Sequence, residues 1–448
     1  MTSTRRFDWA SMGIVVGFFG LLFHLRAQLP VFSDSWYHLS VIRAFAERGF
    51  TGEAWWEFAP VGRPHLYAPL FHLVNLGVMR VTGCELLDLA RFDGVVTFPA
   101  LLLAGWASAR CWFGVRAAFV TVLLMALNIA LLFPCSLIMM PGTWALMMWP
   151  FVLMLVLRDR WLGAGILLAV LGYTHFGMVM VAALSVAILW RRAAVLCLVV
   201  GAVLYSPWLV HLYRHREFLH SGVANLPVFV PALTVVAAGL GVVALVRKPE
   251  PGAWAVVAMM VASCVFLFTL RERFWTYGGF LWAVLGGYGV QRCAGKHFRV
   301  TVAVLAVSAA TMTPFLCPMQ MEFAIPVPAR LPMMGTPLLT LAKWPEQQVV
   351  PEDMMALAKW VREKTGQNEV LLTEDRLLGE CLFALTGRQT SCGLWGEVMT
   401  EELKGKLRVE NRTWRGYIII NSDRANSLMG PVSAVAEFGK YLVVYRTG

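Results

Sequence analysis

The sequence predicts a polytopic α-helical membrane protein with about eleven spanning helices and a small C-terminal α/β domain outside the bilayer. Three observations lead there. The 448 residues are 58% hydrophobic and 15% charged, with a mean hydropathy of +0.64, which is more apolar surface than one aqueous core hides. Apolar runs long enough to cross about 30 Å of hydrocarbon recur along the first two thirds of the chain. After Pro345 the composition changes to that of a soluble domain.

Runs near 8–29, 92–110, 116–133, 142–157, 193–213, 228–246, 252–270, 274–290 and 299–316 each read as one span. The stretch from Trp161 to Trp190 is too long for one helix. Gly172, Tyr173, Thr174, His175, Phe176 and Gly177 interrupt it, so two short helices meeting near the outer face are expected. The apolar segment from Pro69 to Val81 reads as an interfacial helix rather than a further span. The membrane module covers 1–316, with a long first outer loop at 30–91. A proline-rich linker follows at 317–345, then the α/β domain at 346–448. Within that domain, amphipathic periodicity predicts helices over Glu352–Lys364 and Leu377–Leu385. Strands are predicted over Glu369–Thr373, Gly416–Asn421 and Tyr441–Arg446.

Charge distribution supplies orientation. Arg5 and Arg6, Arg110 and Arg116, Arg158 and Arg160, Arg191 and Arg192, Arg247 and Lys248, and Arg292, Lys296 and Arg299 all fall on one side, which the positive-inside rule makes cytoplasmic. The protein is therefore expected in the cytoplasmic (inner) membrane, N-terminus inside, with the 30–91 loop and the C-terminal domain extracytoplasmic. The net charge of +11 is accounted for by topology, and nucleic acid is excluded as a partner. Nine cysteines without a C-x-x-C pair make neither a zinc site nor a disulfide framework. Only Cys381 and Cys392 share the soluble segment.

The first outer loop holds the densest polar and aromatic content of the membrane half. Asp34 lies just past the first span, and His38 follows one helical turn along the same face. An aspartate there also suits a helix N-cap, and both roles can coexist. Further along come Trp55, Trp56, Glu57, Gly62, Arg63, His65, Tyr67, Pro69 and His72. Aromatic walls with a few carboxylates suit a carbohydrate, whose C–H faces stack on rings; Trp55 and Trp56 serve equally as interfacial anchors. On the outer side, against the charge trend, Arg271, Glu272 and Arg273 precede Tyr277. The planar guanidinium fork pairs well with phosphate oxygens. His175, in the turn between two half-helices, is an ionisable residue at a membrane position and so a functional candidate.

This arrangement resembles the catalytic subunit of oligosaccharyltransferases. More broadly it resembles the lipid-dependent class C glycosyltransferases, including those that use dolichyl- or polyprenyl-phosphate sugars. In that family an Asp soon after the first span is followed by a helix carrying Tyr-His or Phe-Asn, then by Trp-Phe-Asp, Gly-Arg and Tyr-Pro elements. The matching residues are Asp34, Trp36, Tyr37 and His38, then Trp55, Trp56 and Glu57, then Gly62 and Arg63, then Tyr67, Ala68 and Pro69. The resemblance covers this loop closely and the rest of the chain in topology. It implies a class C membrane module with Asp34 at the reaction centre. Asp34, His38 and Glu57 are the candidate catalytic residues. Arg271, Arg273, His175 and Tyr277 are candidate donor-phosphate ligands, and Trp55, Trp56 and His65 candidate sugar or acceptor contacts. Asp34, with Glu57 as second carboxylate, is also a candidate ligand for a divalent cation such as Mg or Mn.

Two departures bear on function. The second outer loop, Pro134 to Trp144, lacks the acidic residues that oligosaccharyltransferases place there. The soluble domain offers Gly393, Leu394, Trp395, Gly396 and Glu397 in place of their Trp-Trp-Asp-Tyr-Gly signature. Inverting transfer of a hexosyl or pentosyl unit from a polyprenyl-phosphate-linked donor is thus expected ahead of protein N-glycosylation, with membrane lipid as the medium. The rival readings are a transporter or flippase, which would concentrate ionisable residues at the midplane, and a non-catalytic subunit of the same fold.

Overall fold

A helix satisfies its own backbone amides, and the apolar runs form helices. The computed structural model describes residues 3–26, 31, 33–219, 229–230, 232–247, 250–265, 271–311, 315–316, 350–373, 375–394, 401–407, 415–421 and 433–446. The bundle helices are α1 (Ser3–Leu25), then, after α2 (Ser33–Arg48) and α3 (Leu70–Thr82) in the first loop, α4 (Leu86–Phe113), α5 (Val115–Ala126), α6 (Ile129–Leu137) and α7 (Pro141–Leu157). They continue with α8 (Trp161–Thr174), α9 (Phe176–Ile188), α10 (Arg192–Arg214), α11 (Ala232–Arg247), α12 (Pro251–Ser263), α13 (Arg271–Cys293) and α14 (Phe298–Thr311). Among the described residues two stretches, Arg5–Leu25 and Arg192–Arg214, are long and apolar enough to cross a membrane by those criteria alone. Several others are shorter apolar helices.

The expected break between 161 and 190 falls at His175, between α8 and α9. A second break was not anticipated. The run expected as one span over 116–133 divides into α5 and α6 at Leu127 and Asn128, where the Asn128 carbonyl accepts from Leu131 and Leu132 amides. Asn favours such restarts because its short polar side chain competes for backbone groups.

Where helices approach most closely, glycine is required. A Cβ at Gly287 would collide with Thr121 and the Ala117 carbonyl, and one at Gly289 with the backbone of α11 at Gly241. Small residues let α13 sit directly against α5 and α11, the usual device of helix association without a hydrophobic driving force.

The charges gather at one end of the bundle. Arg110 pairs with Asp8 at 2.9 Å, and Arg292 pairs with Glu250. Gln291 accepts from the Ala117 amide at 2.7 Å and donates to the Phe113 carbonyl at 2.9 Å, while Arg191 reaches the Leu157 carbonyl at 3.3 Å.

At the opposite end stand the first loop and the C-terminal domain. The loop carries a small hairpin of β1 (Glu53–Ala54) and β2 (Arg63–Pro64). A further short pair joins β3 (Phe229–Val230) to β4 (Phe315–Leu316). The domain contains α15 (Glu352–Lys364), β5 (Val370–Leu371), α16 (Arg376–Thr386), β6 (Gln389–Thr390), α17 (Glu401–Leu407), β7 (Gly416–Asn421), β8 (Ser433–Phe438) and β9 (Tyr441–Arg446). Strand β9 lies between β7 and β8, antiparallel to both. Strand β5 runs parallel to β6, and Leu372 bridges in parallel to Ile418 of β7. The linker expected at 317–345 lies outside the described residues.

Among the described residues two hydrophobic cores dominate. One belongs to the bundle. The other joins loop residues such as Trp36, Phe45, Trp56 and Phe71 to domain residues such as Leu357, Phe383, Ile419 and Tyr441. Loop and domain therefore form one body.

Candidate active site

Helix α2 sets the geometry. Asp34 stands exposed in its first turn, where a carboxylate is favoured by the helix dipole. The next residue, Ser35, is buried, and its Oγ accepts from the Met139 amide at 3.0 Å. This bond ties the N-terminus of α2 to the α6–α7 connection and places Asp34 near the start of α7. One turn on, His38 is buried, with Nδ1 3.0 Å from Nε2 of His72 in α3. Tyr67 closes this corner, its ring 5.0 Å from His38 and 6.2 Å from His175.

His175 fills the gap between α8 and α9. Its Nδ1 accepts from the Met178 amide at 3.1 Å and caps α9. Beside it, α7 begins with Pro141 and Gly142. A Cβ at Gly142 would collide with the hydroxyl of Tyr277 and lie 3.4 Å from His175 Cδ2. The structure thus brings together His38, Tyr67, His175 and Tyr277 at the end of the bundle away from the charged cluster. Arg271 and Arg273 open α13 at this end, the latter one turn before Tyr277; their side chains lie outside the described residues. An apolar cavity of about 300 Å³ runs alongside between α11, α12 and α13, lined by Val257, Met260, Gly278, Leu281 and Trp282 among others.

Other loop candidates face away, toward the domain. Glu57 and Arg63 are fully buried as an ion pair, and Arg63 also donates to the Tyr37 hydroxyl at 3.2 Å. Glu380 of α16 meets Glu57 from the domain side. Among the described residues neither Glu57 Oε2 nor Glu380 Oε2 has an N–H or O–H donor from another residue. Two facing carboxylates need a shared proton. Burial, and then the neighbouring Glu57 charge, hold the Glu380 carboxyl well above the usual range. Burial likewise raises the Tyr37 hydroxyl. The cluster is a polar dowel between loop and domain, and Glu57 is committed to it.

The aromatic pair belongs to the same joint. Trp56 is 1% exposed and stacks on Phe383 at 5.8 Å. Trp55 meets Phe383 edge-on, with the Arg48 guanidinium 3.6 Å over its ring. His65 is fully buried among Phe45, Trp56 and Trp208, and burial, reinforced by Arg63, lowers its basicity well below the ordinary value. These environments give Trp56, His65 and Glu57 packing tasks. Backbone bonds complete the joint, with the Thr390 amide donating to the Trp56 carbonyl and the Ala59 amide to the Thr390 carbonyl, each at 2.9 Å. Arg388 is likewise buried, bound to Thr365 and the Arg362 carbonyl. Trp395 and Glu397 lie outside the described residues.

Sequence reasoning did not single out Glu380 and Gly142, and it noted His72 in the first loop without giving it a role. Glu380 carried a visible signal, a lone carboxylate inside the apolar run Leu377–Leu385. The other two carried none, because their significance lies in one partner on another helix. For a divalent cation the donor set does not fit. Hard cations take several oxygen ligands, Glu57 is engaged by Arg63 and Glu380, and among the described residues no group of three or more His, Cys, Asp or Glu converges.

This helical bundle, with a two-helix outer loop sealed by a small α/β domain, is the fold of the class C glycosyltransferases. No protein-family model matches the chain, and no curated protein matches it by sequence; the likeness is structural. The chain is similar to ArnT from Cupriavidus metallidurans bound to undecaprenyl phosphate, at 14% identity and a TM-score of 0.65 over 97% of both chains. It is also similar to the archaeal oligosaccharyltransferase AglB from Archaeoglobus fulgidus, solved with an inhibitory peptide and a dolichol-phosphate. There the identity is 11% and the TM-score 0.62, over 93% of this chain and 70% of that one. The mycobacterial arabinofuranosyltransferase AftD matches all of this chain with 40% of its own length, at 13% identity and a TM-score of 0.60.

Proposed function

We propose that the protein is an integral membrane glycosyltransferase that moves a sugar from a polyprenyl-phosphate-linked donor to an extracytoplasmic acceptor. The observation that carries this reading is the gathering of the first turn of α2, the His175 turn and Tyr277 at one end of the bundle, with the arginine-rich end opposite. Eleven crossings follow when α5 and α6 together make one and α2 and α3 lie at the outer interface. Positive-inside orientation then puts the site on the extracytoplasmic face.

In the proposed reaction the acceptor hydroxyl attacks the anomeric carbon, the carbon–phosphate oxygen bond breaks, and configuration inverts. Asp34 orients the hydroxyl and takes its proton. Arg271 and Arg273, at the start of α13, neutralise the departing lipid phosphate, with Tyr277 and His175 beside them. The apolar cavity flanking Tyr277 suits a prenyl chain. Undecaprenyl phosphate and dolichol-phosphate in the similar proteins support a lipid-linked donor.

Purified protein should consume one of a panel of radiolabelled polyprenyl-phosphate sugars in the presence of membrane extract. Asp34→Asn should abolish turnover with expression intact; a fully active variant removes the role of Asp34, and no consumption of any donor by the wild type removes the enzyme reading. Replacing both Arg271 and Arg273 by Ala should raise the donor concentration needed for half-maximal rate, and an unchanged donor titration counts against them as phosphate ligands.

A further inference from the structure

Beside the first loop, two histidines close α10. His211 lies in the last turn of that helix and His215 is its C-cap. At i and i+4 their side chains are neighbours on one face, and both are partly exposed. Their ring centroids are 5.1 Å apart, with planes inclined at 64°. A metal ion about 2.1 Å from one nitrogen of each ring, bound at a near-tetrahedral angle, holds two imidazole centroids roughly 5 Å apart. The observed spacing matches that of two rings on one ion.

His211 is also prepared as a ligand. Its Nε2 lies 2.7 Å from the His65 carbonyl oxygen of the first loop. A carbonyl only accepts, so Nε2 carries the hydrogen, and in the neutral ring Nδ1 keeps its lone pair. Among the described residues the ring makes no other hydrogen bond. Trp208 stacks against it at 4.9 Å and 32°, and Gly52 stands by it, where a Cβ would lie 3.8 Å from Cε1. A ring held by its neighbours, with one N–H on a backbone carbonyl, is the usual state of a metal-binding histidine. The position suits a cation as well, because the unpaired carbonyls of a helix C-terminus carry partial negative charge. Of the two nearby arginines, Arg216 turns back over the Tyr213 ring at 4.7 Å and donates to the Tyr213 carbonyl, while Arg214 is exposed to solvent. We propose that His211 and His215 form a site for one divalent metal of the imidazole-binding kind, zinc or copper(II), with water at its remaining positions. The site draws on neither His38, Tyr67, His175 nor Tyr277 and stands whether or not the protein is a transferase. Through the His65 carbonyl the ion ties the end of α10 to the first loop.

The test reads the metal itself, without the donor. Full-length, tag-free protein in lipid nanodiscs is stripped with a chelator and given copper(II) or zinc. The copper-loaded wild type should show two imidazole nitrogens in its electron paramagnetic resonance spectrum. Zinc, titrated against a fluorescent indicator, should fill one site and raise the melting temperature, as a ligand of the folded state must. His211→Gln and His215→Gln should each remove the two-nitrogen spectrum and weaken zinc binding by more than about tenfold, with melting in metal-free buffer unchanged. His215→Cys, whose thiolate also ligates zinc, should restore zinc binding. Should His211→Gln fail to fold, His215→Gln and its cysteine rescue decide alone. A wild type that binds neither metal overturns the proposal, as does an unchanged spectrum and zinc affinity in a folded glutamine variant.

Discussion

Glu380 shows how much one side chain's surroundings decide. On an exposed helix it would be an ordinary carboxylate, yet burial against Glu57 raises its affinity for a proton well above that of an unfolded chain, where a glutamate titrates near about 4.3. The folded state therefore keeps a proton that the unfolded state releases. Its contribution to stability is complete below the unfolded value and is lost as pH rises through the folded one. Hydrogen exchange of α16 should accordingly quicken as pH rises through the raised Glu380 value, as the domain loosens from the loop. Glu380→Gln, neutral at every pH, should flatten that dependence; a variant with the wild-type slope would show that another group sets it. Arg63 stays charged throughout, because Glu57 and Tyr37 outweigh the cost of its burial.

At the scale of elements, the interrupted helices matter most. The α8–α9 break was legible because Gly-Tyr-Thr-His-Phe-Gly announces itself inside an apolar run, and His175 proves to be the N-cap of α9. The α5–α6 break was not legible, since a single Asn128 in a long apolar run gives little local signal. Strand β8 was missed for a related reason, its residues being mostly exposed and so without the alternation that marks a half-buried strand. The α8–α9 break brings His175 to the site, where the bare backbone of Gly142 lies against His175 and Tyr277. Gly142→Ala should push Tyr277 aside, cost about 1–3 kcal/mol and weaken donor use. A thermal melt and a donor titration read the two effects, and a variant unchanged in both would mean that Tyr277 is free to move.

For the whole molecule the decisive feature is that loop and C-terminal domain share one hydrophobic core. Orientation is testable with an impermeant maleimide on intact cells, in a background whose exposed native cysteines are serine. Phe50→Cys, 51% exposed at the end bearing the loop, should label from outside. Trp190→Cys, 91% exposed at the arginine-rich end, should label only after permeabilisation. The reverse pattern would invert the topology and put the cleft in the cytoplasm.

The sequence by itself determined the positions of most helices and of the strands β7 and β9, because hydrophobic runs and their periods are local properties of the chain. It also marked the first loop as the place where chemistry is expected. Only the tertiary structure decided how that loop divides. Asp34 stays exposed in the first turn of α2, while Trp56, Glu57 and His65 turn into the joint with the domain. The physical reason is distance along the chain. Trp56 is buried by partners such as Thr390, 334 residues away, and no local pattern tells a side chain which way such a partner lies.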